Sequence, residues 1–319
     1  MISEFEIVRK YFTRPATSAA LGVGDDCALA TAREGMALAL STDMLLAGRH
    51  FLPDADPTGL GHKALAVNLS DLAAMGAEPR WALLAIALPR ANEKWIAAFS
   101  KGFFRIARRF GTELIGGDTT KGPLAISITV IGEVPRKLAL RRDAARAGDD
   151  IWLSGETGEA ALAVAHLKGR VKLKGRAREA CLARLHTPEP RVKLGLALRG
   201  LARGAIDVSD GLLADLGHVA KASGAAAELR WEEIPRAEAI ASCPNQALAK
   251  DCLLAGGDDY ELAFTAPVSV RSRIRLAGKK AGVRVTAIGT MVRGRPGVRV
   301  HDSRGRAVSV RREGFDHFA

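Results

Sequence analysis

Apolar positions along this chain follow two periods in turn, and their switches mark out secondary structure. Glu4 to Phe12 has helical spacing, and between Gly59 and Met75 Ala and Leu recur three and four apart, the repeat of a buried helix face. Glu93 to Phe110 repeats that spacing with charge on the opposite side, an amphipathic helix. Met36 to Thr42 reads as a buried strand, Trp81 to Leu88 as an apolar strand closed by Pro89, Glu113 to Ile115 as a short strand, and Leu124 to Val134 alternates as a strand does. The first half is therefore mixed α and β, with acidic loops at the ends of its elements.

Gly148-Asp149-Asp150 forms a turn ahead of a strand at Ile151 to Leu153, and a Gly155 to Gly158 turn leads into a helix at Glu159 to Leu167. Lys168 to Arg178 is rich in Arg and Lys and reads as a surface excursion. Further helices are expected at Arg191 to Leu201, Gly211 to Ala222 and Val268 to Ala281, and strands at Ala226 to Trp231, Tyr260 to Thr265 and Val283 to Ile288. The pattern predicts an α+β (mixed α/β) protein of two domains, 1–147 and 148–319, a number that suits 319 residues. Asn68-Leu69-Ser70-Asp71-Leu72 echoes Asp207-Val208-Ser209-Asp210-Gly211, and Gly24-Asp25-Asp26 echoes Gly257-Asp258-Asp259, but matches this short do not establish a duplication.

Composition narrows the class. The chain is 48% hydrophobic and 26% charged, as ordered globular proteins are, with no run of about 18 uncharged apolar residues. Its first residues lack the basic-then-apolar signature of a secretory signal, so a cytoplasmic protein without membrane attachment is expected. Cys27, Cys181, Cys243 and Cys252 form no CxxC pair and have no zinc-ligand spacing; they read as reduced, mostly buried thiols. The net charge of +12 raises the alternative of a basic nucleic-acid-binding module without catalysis, in which the aspartates only cap turns. The basic residues are dispersed and only 5% of the chain is aromatic, poor material for stacking bases, so a solvated basic surface with no nucleic-acid partner is the preferred reading.

The candidate chemistry lies in aspartates set where the chain turns: Gly24-Asp25-Asp26, Ser41-Thr42-Asp43, Asp71 within a helix, Gly116-Gly117-Asp118-Thr119-Thr120 after a strand, and Asp207-Val208-Ser209-Asp210. Turn and cap roles explain any one of them. They explain Asp71 poorly, since Asp is a weak helix former and its neighbours are apolar. If the groups converge, their charges repel unless cations intervene, and Mg²⁺, which takes one or two carboxylates together with substrate phosphates, suits such a set. Spacing alone leaves both readings open. Gly116-Gly117 would let backbone N–H groups approach a phosphate, and no GxxxxGK[ST] string is present, which excludes an ordinary P-loop.

The ordered set GDDCA, STDMLLAGRHF, NLSDLAAMGAEP, LIGGDTT, IDVSDGLLADLGH, GGDDYEL and FDHF, spread over nearly the whole chain, resembles the thiamine-monophosphate kinase family of the aminoimidazole ribonucleotide synthetase-like superfamily. The resemblance implies the two-domain fold of that superfamily and a kinase that makes thiamine diphosphate from thiamine monophosphate and ATP with several Mg²⁺ ions. It also implies a homodimer formed through the first domain, with the second closing over the nucleotide and acceptor. On matching positions, Asp26, Ser41, Thr42, Asp43, Asp71, Asp118, Asp207 and Asp210 would be Mg²⁺ ligands, with Asp43 and Asp71 nearest the transferred group. Gly117, Asp118, Arg142, Ser209 and Phe110 would contact ATP, and His50, Asp258 and Phe315 the acceptor. The chain departs from the family pattern in having Asp258 where Glu is frequent, Phe110 where Tyr is common, and Phe315 where Trp or Tyr is usual.

The acceptor's phosphate oxygen is already anionic, so direct in-line transfer needs charge neutralisation and no general base. The enzyme rival is another activity of the superfamily, an ATP-dependent synthetase or ligase that activates a carbonyl or amide oxygen.

Overall fold

The computed structural model describes residues 2–311 and Gly314. The chain folds as two compact units: residues up to Leu72 with Ala77–Lys137 form the first, and Ala73–Gly76 with the chain from Leu138 onward form the second. The division thus falls ahead of the junction expected just before Gly148. Leu140 is buried and its N–H donates to the Met75 carbonyl at 3.1 Å, while Arg199 Nε donates to the Gly76 carbonyl at 2.5 Å, so both segments join the second unit.

The first unit runs α1 (Glu4–Ile7), β1 (Met36–Leu46), α2 (Pro57–Ala74), β2 (Glu78–Leu88), α3 (Glu93–Arg109), β3 (Glu113–Lys121) and β4 (Ala125–Pro135). Its sheet has the order β1-β4-β2-β3, with β2 and β3 parallel and the other neighbours antiparallel. Asn92 starts α3 by accepting the Trp95 N–H, and Ile96, Phe99, Phe103 and Ile106 are buried on its apolar stripe. Two glycines let α2 and α3 touch backbone to backbone: a Cβ at Gly61 would lie 2.1 Å from the Phe99 carbonyl oxygen, and one at Gly102 only 1.9 Å from that of Thr58.

β3 corrects the expected three-residue strand followed by a glycine turn. Gly116 to Thr120 continue the strand after a one-residue slip, with Ala82 opposite Leu114 but Leu83 opposite Gly116. Gly117 has φ 146°, and a Cβ there would lie 1.9 Å from the Leu84 carbonyl oxygen. Only glycine permits strand pairing at that point.

The second unit comprises β5 (Asp150–Ser154), α4 (Glu159–Leu167), α5 (Gly175–His186), α6 (Val192–Leu198), β6 (Ala205–Val208), α7 (Leu212–Ala222), β7 (Ala226–Arg230), α8 (Glu238–Ala241), α9 (Gln246–Ala255), β8 (Glu261–Ala266), α10 (Arg271–Ala281), β9 (Val285–Val292) and β10 (Gly297–His301). Its six strands lie in the order β10-β7-β9-β5-β8-β6, with only β10 and β7 parallel. Ile151, Leu153, Leu162, Ile206, Val208, Leu216, Leu254 and Ile288 belong to its core. The sequence reading assigns no element to β6, β10 or α9, and it reads the beginning of α5 as part of an irregular excursion.

The motif echoes are not structural repeats. Asn68–Leu72 lies in α2, whereas Asp207-Val208 ends a strand and Ser209–Gly211 turn into α7. Cys181, Cys243 and Cys252 are buried thiols and Cys27 is exposed. Among the described residues, no helix is long and apolar enough to cross a membrane.

Candidate active site

In the first unit, β1 and α2 build one seam of candidate ligands. Alternation along β1 puts Ser41 and Asp43 on the face turned to α2. Ser41 Oγ donates to Asp71 Oδ2 at 2.5 Å, and the Asp43 N–H donates to Asn68 Oδ1 at 3.1 Å. Asn68 is fixed in turn by donating from Nδ2 to the Ala64 carbonyl at 3.0 Å. Ala64, Asn68 and Asp71 are spaced four and three apart and so share a helix face. This explains the acidic residue inside an apolar helix: Asp71 is partly exposed on the one face that meets β1.

Thr42 and Asp118 lie on the opposite face of the sheet. Thr42 Oγ1 is 2.8 Å from Thr129 Oγ1, and the register runs Thr42, Thr129, Leu83, Gly116. The next row on that face is Met44, Ser127, Ala85, Asp118. Asp118 is exposed on edge strand β3, three strand spacings or about 14 Å from the β1 position in its row. Two carboxylates sharing an ion at about 2.1 Å have oxygens only about 3 Å apart, so one copy does not bring Asp43 and Asp118 onto one ion. Among the described residues, no group of three or more His, Cys, Asp or Glu gathers to hold a metal.

Asp26 is exposed in a tight turn where its N–H donates to Asp25 Oδ1 at 2.8 Å. The segment before that turn is tied down by Glu113 at the start of β3. Its carboxylate accepts the N–H and hydroxyl of Thr17 at 2.9 and 2.7 Å, and those of Ser18 at 3.0 and 2.6 Å. Partial burial opposes ionisation of Glu113, but the four donors outweigh it and hold the carboxyl at about 2. Sequence reasoning missed Glu113, because its partners lie almost a hundred residues away.

His50 follows β1 in a turn, and its Nδ1 accepts the Leu46 N–H at 2.9 Å, which puts the proton of the neutral ring on Nε2. Phe110 caps the end of α3, with the Arg109 guanidinium 5.2 Å from its ring centre.

In the second unit, Asp207 is buried at the end of β6, and the N–H groups of Ser209, Asp210 and Gly211 all donate to Asp215 Oδ2, at 3.0, 3.0 and 3.2 Å. Burial pushes the Asp215 carboxyl up to about 7 against the pull of those donors. Asp215 thus fixes the turn carrying Ser209 and Asp210; the sequence signal for it was an Asp one helical turn beyond a glycine. Asp258 is bound to the same turn, its N–H donating to the Ser209 carbonyl at 2.9 Å. Arg142 is exposed in a short 3₁₀ turn whose carbonyl accepts from Ser223 Oγ at 2.8 Å. Phe315 lies outside the described residues.

Comparison with known proteins gives the following. Family models match at residues 24–134 (AIR synthase related protein, N-terminal domain) and 146–301 (its C-terminal domain). A thiamine-monophosphate kinase of Salmonella typhimurium is 43% identical over 321 residues, covering 99% of this chain and 98% of the relative. The crystal structure of thiamine-monophosphate kinase from Stenotrophomonas maltophilia superposes with a TM-score of 0.84 at 45% identity, over 92% of this chain and 93% of the other. AaThiL complexed with AMPPCP and TMP superposes with a TM-score of 0.78 at 30% identity, over 90% and 89%.

Proposed function

The chain belongs to the thiamine-monophosphate kinase family of AIR synthase related proteins, and from that membership we propose that it transfers the γ-phosphoryl group of ATP to thiamine monophosphate, giving thiamine diphosphate and ADP. The observation that carries the reading is full-length similarity to thiamine-monophosphate kinases, joined by the relative complexed with AMPPCP and TMP.

The candidate ligands are all oxygen donors, and Asp43, Asp71 and Asp118 are partly or fully exposed, as a hydrated Mg²⁺ shared with substrate phosphates requires. The close approach of Ser41 to Asp71 in the β1–α2 seam supports assigning that hydroxyl and carboxylate to one ion. We assign Ser41, Asp43 and Asp71 to that seam, Thr42 and Asp118 to the other sheet face, Asp26 to the anchored turn, and Asp207 and Asp210 to the second unit. Bound Mg²⁺ would supply positive charge against the phosphate oxygens.

The remaining work falls to the chain itself. Gly117 lets β3 pair closely with β2 just ahead of Asp118, and the Ser209 hydroxyl and the Arg142 guanidinium would donate to the nucleotide. The family resemblance assigns His50 of the first unit, and separately Asp258 of the second, to the acceptor; Phe315, given the same role, lies outside the described residues. No residue removes a proton, because the attacking phosphate oxygen carries none to remove.

We also propose a homodimer, and the sheet supports it. Leu38, Leu40, Met44 and Leu46 are exposed along one face of β1, an apolar row that isolated proteins of this size seldom leave open. β1 and β3 are both edge strands. Setting β1 of one copy beside β3 of a second, with the two-fold closing both junctions, would cover the row and put the partner's Asp118 on the strand next to that of Asp43, in place of the three strand spacings within one copy. The test of function is product identification by mass after incubation with ATP, Mg²⁺ and thiamine monophosphate. Thiamine diphosphate with stoichiometric ADP is expected, and inorganic phosphate without thiamine diphosphate would favour a synthetase or ligase instead.

A further inference from the structure

The segment Gly256-Gly257-Asp258-Asp259-Tyr260 leads into β8 through a backbone that side chains rarely adopt. Asp258 has φ 69° and Tyr260 φ 52°, and these are the only non-glycine residues with positive φ among the described residues. Asp tolerates the left-handed region, but a bulky aromatic there is an outlier. Such conformations persist only where surrounding contacts over-determine them, and they cluster where a chain must aim a group.

The contacts that hold the bend are on both sides of it. The Asp258 N–H donates to the Ser209 carbonyl at 2.9 Å and the Tyr260 N–H to the Val208 carbonyl at 2.8 Å, so the segment is fastened to the end of β6. Between them Asp259 is buried and accepts the Gly158 N–H at 2.8 Å. Beyond them Glu261 is wholly buried and accepts from Ser154 Oγ at 2.5 Å and Arg191 Nε at 2.6 Å. Within the clamp, the Tyr260 hydroxyl donates to Asp258 Oδ1 at 2.9 Å.

We propose that Tyr260 is a positioning residue for the acceptor: its phenol holds the Asp258 carboxylate in one orientation, toward the cationic thiazolium and amino-bearing pyrimidine of the acceptor. The proposal rests on the reading of Asp258 as an acceptor contact. Its logic is one of reach. Asp is one methylene shorter than Glu, and a short carboxylate free to rotate meets a bound ring system only part of the time. A hydrogen bond that selects one rotamer lowers the ordering cost of binding. The strained backbone is what lets the phenol and the carboxylate meet while the flanking residues stay in the core.

Steady-state kinetics on the full chain test this. Tyr260→Phe is expected to raise KM for thiamine monophosphate about three- to tenfold, the worth of one ordinary hydrogen bond, with kcat and KM for ATP within about twofold. Asp258→Asn is expected to raise the same KM, and adding Tyr260→Phe to it to change nothing further, since the phenol acts through the carboxylate. Asp258→Gly relieves the left-handed backbone, so its thermal midpoint should stay level or rise while acceptor KM rises; a purely structural role would lower the midpoint instead. An unchanged acceptor KM in Tyr260→Phe, with Asp258→Asn impaired, overturns the positioning role alone. An unchanged acceptor KM in Asp258→Asn overturns the reading of Asp258 and the role of Tyr260 with it. Loss of kcat, ATP affinity and thermal midpoint together in Tyr260→Phe marks a core residue and also overturns the proposal.

Discussion

Mixing two inactive variants should restore activity if the site is shared between copies. Asp43 and Asp118 sit on the two edge strands of one sheet and on opposite faces of it, about 14 Å apart by strand spacing. Asp43→Asn and Asp118→Asn should each cost on the order of a hundredfold or more in turnover, as loss of a charge aimed at the transferred group does. In a dimer with one copy of each variant, one site receives both defects and the other receives none, because a two-fold axis pairs each copy's Asp43 with the other's Asp118. Tandem-purified heterodimer should therefore show about half the wild-type rate, and a random mixture about one quarter. The assay is ADP release with thiamine monophosphate after co-expression with two affinity tags, alongside thermal unfolding to establish that both variants are folded. A heterodimer no more active than either homodimer would refute the shared site, since it would mean each copy completes its own.

Three further outcomes follow. Glu113 has its carboxyl lowered from 4.5 to about 2 in the folded chain, so its stabilising effect is full above pH 4.5 and is lost as pH falls toward 2; Glu113→Gln should cost about 1–2 kcal/mol at pH 7, after allowance for partial exposure, and flatten acid unfolding between those limits. Proteolysis of the Thr17–Asp26 segment in that variant, faster than in wild type, would report its release. Arg191 pairs with the fully buried Glu261, so Arg191→Met strands a buried charge and should lower stability by about 3 kcal/mol in urea unfolding; a cost below about 1 kcal/mol would mean Arg184, 3.3 Å from the same carboxylate, suffices alone. Gly117→Ala places a methyl group 1.9 Å from the Leu84 carbonyl oxygen and should unpair the end of β3, weakening ATP binding and stability together; full activity would show that β3 shifts freely.

The legible parts of the fold are those whose signal is local. α3 declares itself through its charged and apolar faces and Asn92, and α2 through its spacing. β6 and β10, of four and five residues, are too short for an alternation to register. α9 carried a readable sign in Asn245, which accepts the Leu248 N–H at 3.0 Å, but its apolar residues crowd together rather than repeat. β3 was misread for a physical reason: Gly116-Gly117 has turn composition, and only the neighbouring strand shows that Gly117 is there to let Leu84 approach.

The site divides in the same way. The ordered motifs carry the resemblance to a kinase family, whereas acidic side chains at element ends by themselves leave turn-capping and metal-binding readings open. Which carboxylates face one another is set by register, which depends on partners distant in the chain. A one-residue step separates Thr42 from Ser41 and Asp43, yet it sends the hydroxyl to the opposite face, and the slip at Leu83 decides that Asp118 joins that face too. Asp43 and Asp118, grouped together as candidate ligands from sequence, lie in one copy on the two edge strands of a sheet and on opposite faces of it. Carboxylates on unpaired edge strands also resist indiscriminate strand addition. If the proposed pairing of copies holds, the chemistry and the assembly draw on the same residues, and a ligand set that looks redundant along the chain is fully used only between two copies.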